Sequence, residues 1–98
     1  MLKLRLSQTA EKDLEDIWSY TLSTWGKDQA LAYLDMFEKG LYQILENPLI
    51  GKARPEIKPG YRALQVGKHL IFYLAGTEFV DVIGIPHQRM DILKYFHE

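Results

Sequence analysis

Between residues 48 and 60 lie Pro48, Gly51, Pro55, Pro59 and Gly60, and this stiff stretch divides the chain into halves with different hydrophobic periods. Proline fixes φ and removes a backbone donor, so neither a helix nor a ladder-forming strand is expected across it. Before it, apolar residues return at steps of three and four. After it come short, nearly continuous apolar runs. A chain divided in this way is expected to place helices and an antiparallel meander in separate layers, the α+β arrangement.

Leu2, Leu4 and Leu6 alternate with Lys3 and Arg5, the two-residue period of a strand with one buried face. Ser7 is placed to cap a helix carrying Ala10, Leu14, Ile17, Trp18, Thr21 and Trp25 on its apolar side, ending near Gly26. Asp28 can start a second helix whose stripe is Ala30, Leu34, Phe37, Leu41, Ile44 and Leu45, stopped by Asn47-Pro48. So short a connection makes the two an antiparallel hairpin. Trp18, Trp25, Tyr33 and Phe37 follow helical spacing and are assigned to the core. Gly40 interrupts the second helix and either allows close packing or is tolerated. Strands are expected over 61–66, 69–75 and 79–85, joined by Gly67-Lys68 and by Gly76-Thr77-Glu78. The middle run, Leu70-Ile71-Phe72-Tyr73-Leu74, is apolar at every position, which argues a central strand covered on both faces. The helices cover one face, and the tail Ile92-Leu93-Lys94-Tyr95-Phe96 is available for the other. The expected order is βααβββ, an antiparallel sheet packed against an antiparallel helical hairpin in one domain over residues 1–98.

Composition narrows the function. With 98 residues the chain buries about 60 to 65% of its unfolded surface, enough for one core without staples. It has no cysteine, no Gly-rich phosphate loop, no nucleophile elbow and no pair of histidines at ligand spacing, so neither a metal nor a cofactor is expected. No apolar run reaches the roughly 18 residues of a membrane span, and the N-terminus lacks the apolar core of a signal peptide, so a cytoplasmic protein is expected. The net charge is −1 but uneven: residues 1–47 hold five cationic side chains against eight carboxylates. Farther on, Lys52, Arg54, Lys58, Arg62 and Lys68 face only Glu56. That local excess suits an acidic partner, while the overall balance is far from the basic charge of a protein that grips phosphate backbone, so no direct sequence-specific binding of nucleic acid is expected.

Chemistry-bearing side chains gather near the sheet: Arg62, His69, His87 and Arg89. A histidine with two arginines could cleave RNA by attack of a 2′-hydroxyl, one group taking the proton and the others stabilising the charged phosphorus centre. Residues of these types at strand ends more often cap a sheet edge, pair with a carboxylate such as Asp91, or contact a partner's carboxylates.

Several strings then bring a resemblance. Asp13-Leu14-Glu15-Asp16-Ile17, Trp25-Gly26, Glu46-Asn47-Pro48-Leu49-Ile50-Gly51, Pro59-Gly60-Tyr61-Arg62, Gly67-Lys68-His69-Leu70-Ile71-Phe72-Tyr73 and Ile85-Pro86-His87-Gln88-Arg89-Met90-Asp91, in this order, resemble the ParE toxins of the RelE/ParE superfamily nearly end to end. The resemblance implies a toxin of a type II toxin–antitoxin system, neutralised by a ParD-like antitoxin and, when free, poisoning DNA gyrase so that replication stalls. Candidate contacts for antitoxin or target are Lys52, Arg54, Lys58, Arg62, Lys68, His69, His87 and Arg89. The alternative is a RelE-like ribosome-dependent mRNA endoribonuclease using Arg62, His87 and Arg89. The chain is slightly acidic and shows no compact lysine and tyrosine set beside those residues, which favours the non-enzymatic gyrase poison. A fold that keeps only its antitoxin contact is a third reading.

Overall fold

Ser7 begins the first helix from an extended backbone. Its hydroxyl accepts the Ala10 N–H (3.0 Å) and donates to the Ile83 carbonyl (2.7 Å), so one side chain both caps the helix and fastens it to the sheet. Helix α1 (Gln8–Trp25) ends at Gly26, whose φ of +90° lets α2 (Lys27–Glu46) start at once. At the far end of α2, Asn47 donates its N–H to the Gln43 carbonyl before Pro48 forbids another turn.

The computed structural model describes residues 2–96 and adds five strands and a short helix: β1 (Lys3–Leu6), β2 (Lys52–Ala53), β3 (Arg62–Val66), β4 (His69–Ala75), β5 (Phe79–Gly84) and α3 (Ile92–Phe96). They form one sheet in the order β1-β5-β4-β3-β2. The meander β3-β4-β5 is antiparallel, as its hairpin spacings require. The first strand departs from the expected all-antiparallel sheet, since β1 lies parallel to β5, with Leu4 opposite Val80 and Leu6 opposite Val82. Chain direction explains it. The helical hairpin returns the chain to the end where β1 began, so β3 runs the same way as β1, and two further reversals give β5 that direction again. Arg5 and Asp81 face each other in this pair through two hydrogen bonds of 2.6 and 3.1 Å, with the guanidinium 3.7 Å from the Phe79 ring centre, and so mark the register.

A second departure lies in the proline-rich segment, where Lys52 and Ala53 pair with Ala63 and Arg62 as a two-residue edge strand. The prolines restrict the ladder to these two residues. Tyr73, fully buried on β4, holds the approach to them: its hydroxyl donates to the Pro48 carbonyl (2.8 Å) and accepts the Gly51 N–H (2.9 Å).

β4 is the middle strand and is covered on both faces, as its continuous apolar run demands. Ile71 and Tyr73 meet Phe37, Ile44, Val80 and Val82 beneath the helices. Phe72 faces the other way, toward Ile57, Tyr61 and Ala63, with Ile92 and Phe96 of α3 laid over them and the Phe72 and Phe96 rings 4.9 Å apart. Gly40 resolves in favour of close approach: a Cβ there would stand 2.8 Å from a Val66 methyl, so its absence lets α2 settle on β3.

Phe37 is 1% exposed at the junction of α2 with the sheet, and Phe37→Ala is expected to cost about 3 to 5 kcal/mol through lost burial and the cavity left behind. Chemical denaturation measures this, and an unchanged midpoint would contradict the packing described.

Candidate partner-binding groove

The helices are longer than the sheet is tall. Eighteen and twenty residues of helix span about 27 and 30 Å, against about 23 Å for the seven residues of β4. Asp13, in the second turn of α1, already reaches the end of β5, where its carboxylate accepts the Ile85 N–H at 2.8 Å. The later turns of α1 and the first turns of α2 therefore run past the sheet as an overhang. Beneath it opens a groove of about 730 Å³. Ile17, Tyr20, Trp25, Tyr33 and Met36 supply its apolar and aromatic walls, with Asp16 on the α1 side. Gly67, Lys68, His69 and His87 close its end.

This placement corrects the assignment of Trp25 to the core, because the indole is 66% exposed. Helical period alone puts Trp25 on the same stripe as Thr21, but the sheet stops before that turn. Trp18 and Tyr33 are half-buried and Phe37 is buried, so the stripe fades as it leaves the sheet. Tyr20 and Met36, which sequence reasoning passed over, are exposed at 67% and 44% and carry the rest of the wall.

At the closed end, hydrogen bonds fix the chemistry. The Tyr33 hydroxyl accepts the Lys68 N–H (3.0 Å) and shares a hydrogen bond with Nδ1 of His69 (2.7 Å), in which the hydroxyl donates when the ring carries its proton on Nε2. His87 sits opposite, its backbone bridged to that of His69 and its ring 5.1 Å away at 77°. Its Nδ1 accepts the Arg89 N–H (3.1 Å), which places the His87 proton on Nε2. Gly67 allows the Tyr33 approach twice over, by its φ of +57° and because a Cβ there would collide with the tyrosine ring. Thus Tyr33, Lys68, His69 and His87 do form a compact set, contrary to the expectation from sequence. The tyrosine comes from 35 residues upstream of Lys68, a distance that no local motif spans.

Burial pushes the Tyr33 hydroxyl above its ordinary value, so it stays protonated. His69 is held down to about 4, first by burial and then by the neighbouring His87, with Asp13 pulling weakly the other way. Behind the histidines the Asp13 carboxylate also accepts the Tyr95 hydroxyl of α3, and burial raises that phenol strongly.

The other candidates lie elsewhere. Arg62 stands opposite Tyr73 while His69 stands opposite Val66, so Arg62 is about 13 Å along the sheet from the histidines. Its guanidinium donates to the Gly51 carbonyl (2.8 Å) and braces the loop. Arg54 pairs with Glu56 at 2.6 Å, and Lys52 and Lys58 are exposed near it in sequence. The cationic cluster seen in sequence is therefore two features, Lys68 at the groove and the other four at the loop end. Arg89 is exposed next to the groove, contributing its backbone, and Asp91 caps α3 by accepting the Lys94 N–H (3.2 Å) instead of pairing with His87. Among the described residues no group of three metal-ligating side chains comes together, and no helix is long and apolar enough to cross a membrane.

The sheet and the overhanging helical hairpin together frame an open groove. Residues 4–92 match the family model described as ParE toxin of type II toxin-antitoxin system, parDE, and the chain belongs to that family. Among similar proteins, Toxin ParE1 of Mycobacterium tuberculosis is 44% identical over 88 residues, covering 89% of this chain and 90% of the relative. Toxin ParE1 of Caulobacter vibrioides is 36% identical over 91 residues, covering 93% and 94%. A solved chain described as the chromosomal ParDE TA system from P. aeruginosa superposes with a TM-score of 0.75 at 19% identity, covering 89% of this chain and 96% of that one, a likeness of fold.

His69 is neutral in the fold with a value of about 4, whereas a free imidazole titrates near 6.5, so unfolding takes up a proton between those pH values. Stability from this group is complete above about pH 6.5 and is lost as the pH falls toward about 4. The melting temperature should drop across that window in the wild type and drop less in His69→Phe, the difference between the two curves isolating His69 from the carboxylates that titrate alongside.

Proposed function

We propose that this chain is the toxin of a ParDE-type pair, held in check by a ParD-like antitoxin in the groove and, when free, poisoning DNA gyrase by binding and not by cleaving RNA. Membership of the ParE family and 44% identity to a Toxin ParE1 support the toxin reading. The observation that carries the non-enzymatic part is the state of the two imidazoles. A general base needs a free lone pair within reach of the reacting proton, and at both histidines Nδ1 is engaged inside the fold, His69 with the Tyr33 hydroxyl and His87 with the Arg89 N–H. At His87 this leaves an N–H and no lone pair toward the groove. Arg62, the third member of a nuclease set, is tied to the loop and far from both. A gyrase poison has no such requirement, since it acts by contact surface.

The groove suits an amphipathic antitoxin segment carrying acidic residues, its apolar side on Tyr20, Trp25 and Met36 and its charge near Lys68. Lys68→Glu should slow association with the antitoxin and weaken its salt dependence, because rim charges act mainly on the on-rate. Stopped-flow mixing at low and high salt measures it. Arg62→Glu should behave differently, lowering the melting temperature by freeing the Gly51 carbonyl while leaving association rates near wild type.

Toxicity should survive His87→Gln, whereas an enzyme that loses a proton-transfer group slows by about 10²- to 10⁴-fold. The assay sets purified gyrase and supercoiled plasmid, scored for linear DNA after detergent and protease, beside programmed ribosomes scored for mRNA cuts. Ribosome-dependent cuts that vanish in His87→Gln, with no linear plasmid, would sink the gyrase reading.

A further inference from the structure

We infer that the closed end of the groove is a receptor for one side-chain carboxylate, in which the Nε2–H groups of His69 and His87 and the ammonium of Lys68 grip a single Asp or Glu of the antitoxin and set the register of its segment. The inference rests on the groove being the antitoxin site and assigns to the histidine pair a specificity role.

His87 spends its Nδ1 lone pair on the Arg89 N–H and so offers the groove a donor and no acceptor; His69 does the same in the tautomer whose Nδ1 takes the Tyr33 hydroxyl proton, the one assigned to it here. Among the described residues neither Nε2 has a hydrogen-bond partner, and no buried side-chain nitrogen is left unpaired, so both point to solvent and not into the core. Lys68, exposed and outside every ion pair found among the described residues, adds a third donor and the only positive charge lining the groove. A site made only of donors selects an acceptor, and an ionised acceptor strengthens each bond. One cation balances a single negative charge, so a lone carboxylate matches the site better than a doubly charged phosphate or a run of acidic residues. His69 does not titrate near neutral pH, so the ring stays neutral there. The flanking walls of Tyr20, Trp25 and Met36 give the same segment apolar anchorage, and the carboxylate decides how far along the groove it slides.

Two measurements test this. Long-range proton–nitrogen NMR of the free chain reads which ring nitrogen is protonated, and Nε2–H is expected for His69 and His87; Nδ1–H in either overturns the inference. The second measurement titrates the full-length ParD-like antitoxin, and versions with each Asp or Glu changed singly to its amide, against wild-type toxin, His87→Phe and His87→Gln. His87→Phe keeps a ring and removes the donor, and should weaken binding by about 10- to 100-fold, the loss of a hydrogen bond to a charged group. His87→Gln, with an amide N–H near the Nε2 position, should recover most of that. One amide variant of the antitoxin should produce no further loss in His87→Phe, while the others add independently. If His87→Phe fails to fold, Lys68→Met enters the same cycle with the same expectation. Undiminished affinity in His87→Phe, or strict additivity with every carboxylate, overturns the receptor while leaving the antitoxin site standing. No binding of the antitoxin by wild-type toxin overturns both.

Discussion

A strand that is apolar at every position must be covered on two sides, and the architecture answers that demand of β4. Ile71, Phe72 and Tyr73 are all fully buried. Alternate side chains point to opposite faces, so the helical hairpin takes Ile71 and Tyr73, while α3 and the proline-rich segment take Phe72. Each partner is then fastened by a polar contact at the rim of its apolar one. Tyr73 reaches through the core to hold the Pro48–Gly51 turn, and Asp13 receives both the Ile85 N–H and the Tyr95 hydroxyl. The Asp13 contact joins the first helix to the last across the end of the sheet, so both layers are anchored at the edge where the groove opens.

The histidines illustrate how a hydrogen-bond network decides what a residue can do. His69 and His87 have the composition of an acid–base pair, but both Nδ1 atoms are engaged inside the fold, and His87 is left with its N–H outward. Tyr33 holds one of the two, and it does so only because Gly67 leaves room for its ring. A ring bonded in this way presents a fixed face.

The helices, the antiparallel meander and the central strand were legible in the sequence because each is written in local periodicity and in punctuation by Ser7, Gly26, Pro48 and Gly67. The cover that α3 gives to Phe72 was legible for a similar reason, as a short apolar tail needs a face. The parallel pairing of β1 was not, because strand direction at a sheet edge is set by the path of the whole chain. The fate of Trp25 was hidden by a length mismatch: helical period continues past the point where the sheet ends. Candidate site residues fared unevenly. His69, His87 and Lys68 converge at one end of the groove, but grouping Lys68 with Arg62 confused nearness in sequence with nearness in space, and Tyr33 was filed with the core because its hydroxyl partner is a backbone amide 35 residues away.

The overhang separates two kinds of selection on this chain. Tyr20, Trp25 and Met36 lie beyond the sheet and are largely exposed, so replacing them removes little of what keeps the domain folded. Phe37, Ile44 and Ile71 have no such freedom. If the groove seats the antitoxin as proposed, duplicated copies in one genome can drift at the overhang without first passing through unstable intermediates, and pairs that began as interchangeable can become mutually blind by a few surface changes. Divergence of partner choice in such a lineage would run ahead of divergence in the core, and the pace would be set by how far two helices outreach five strands.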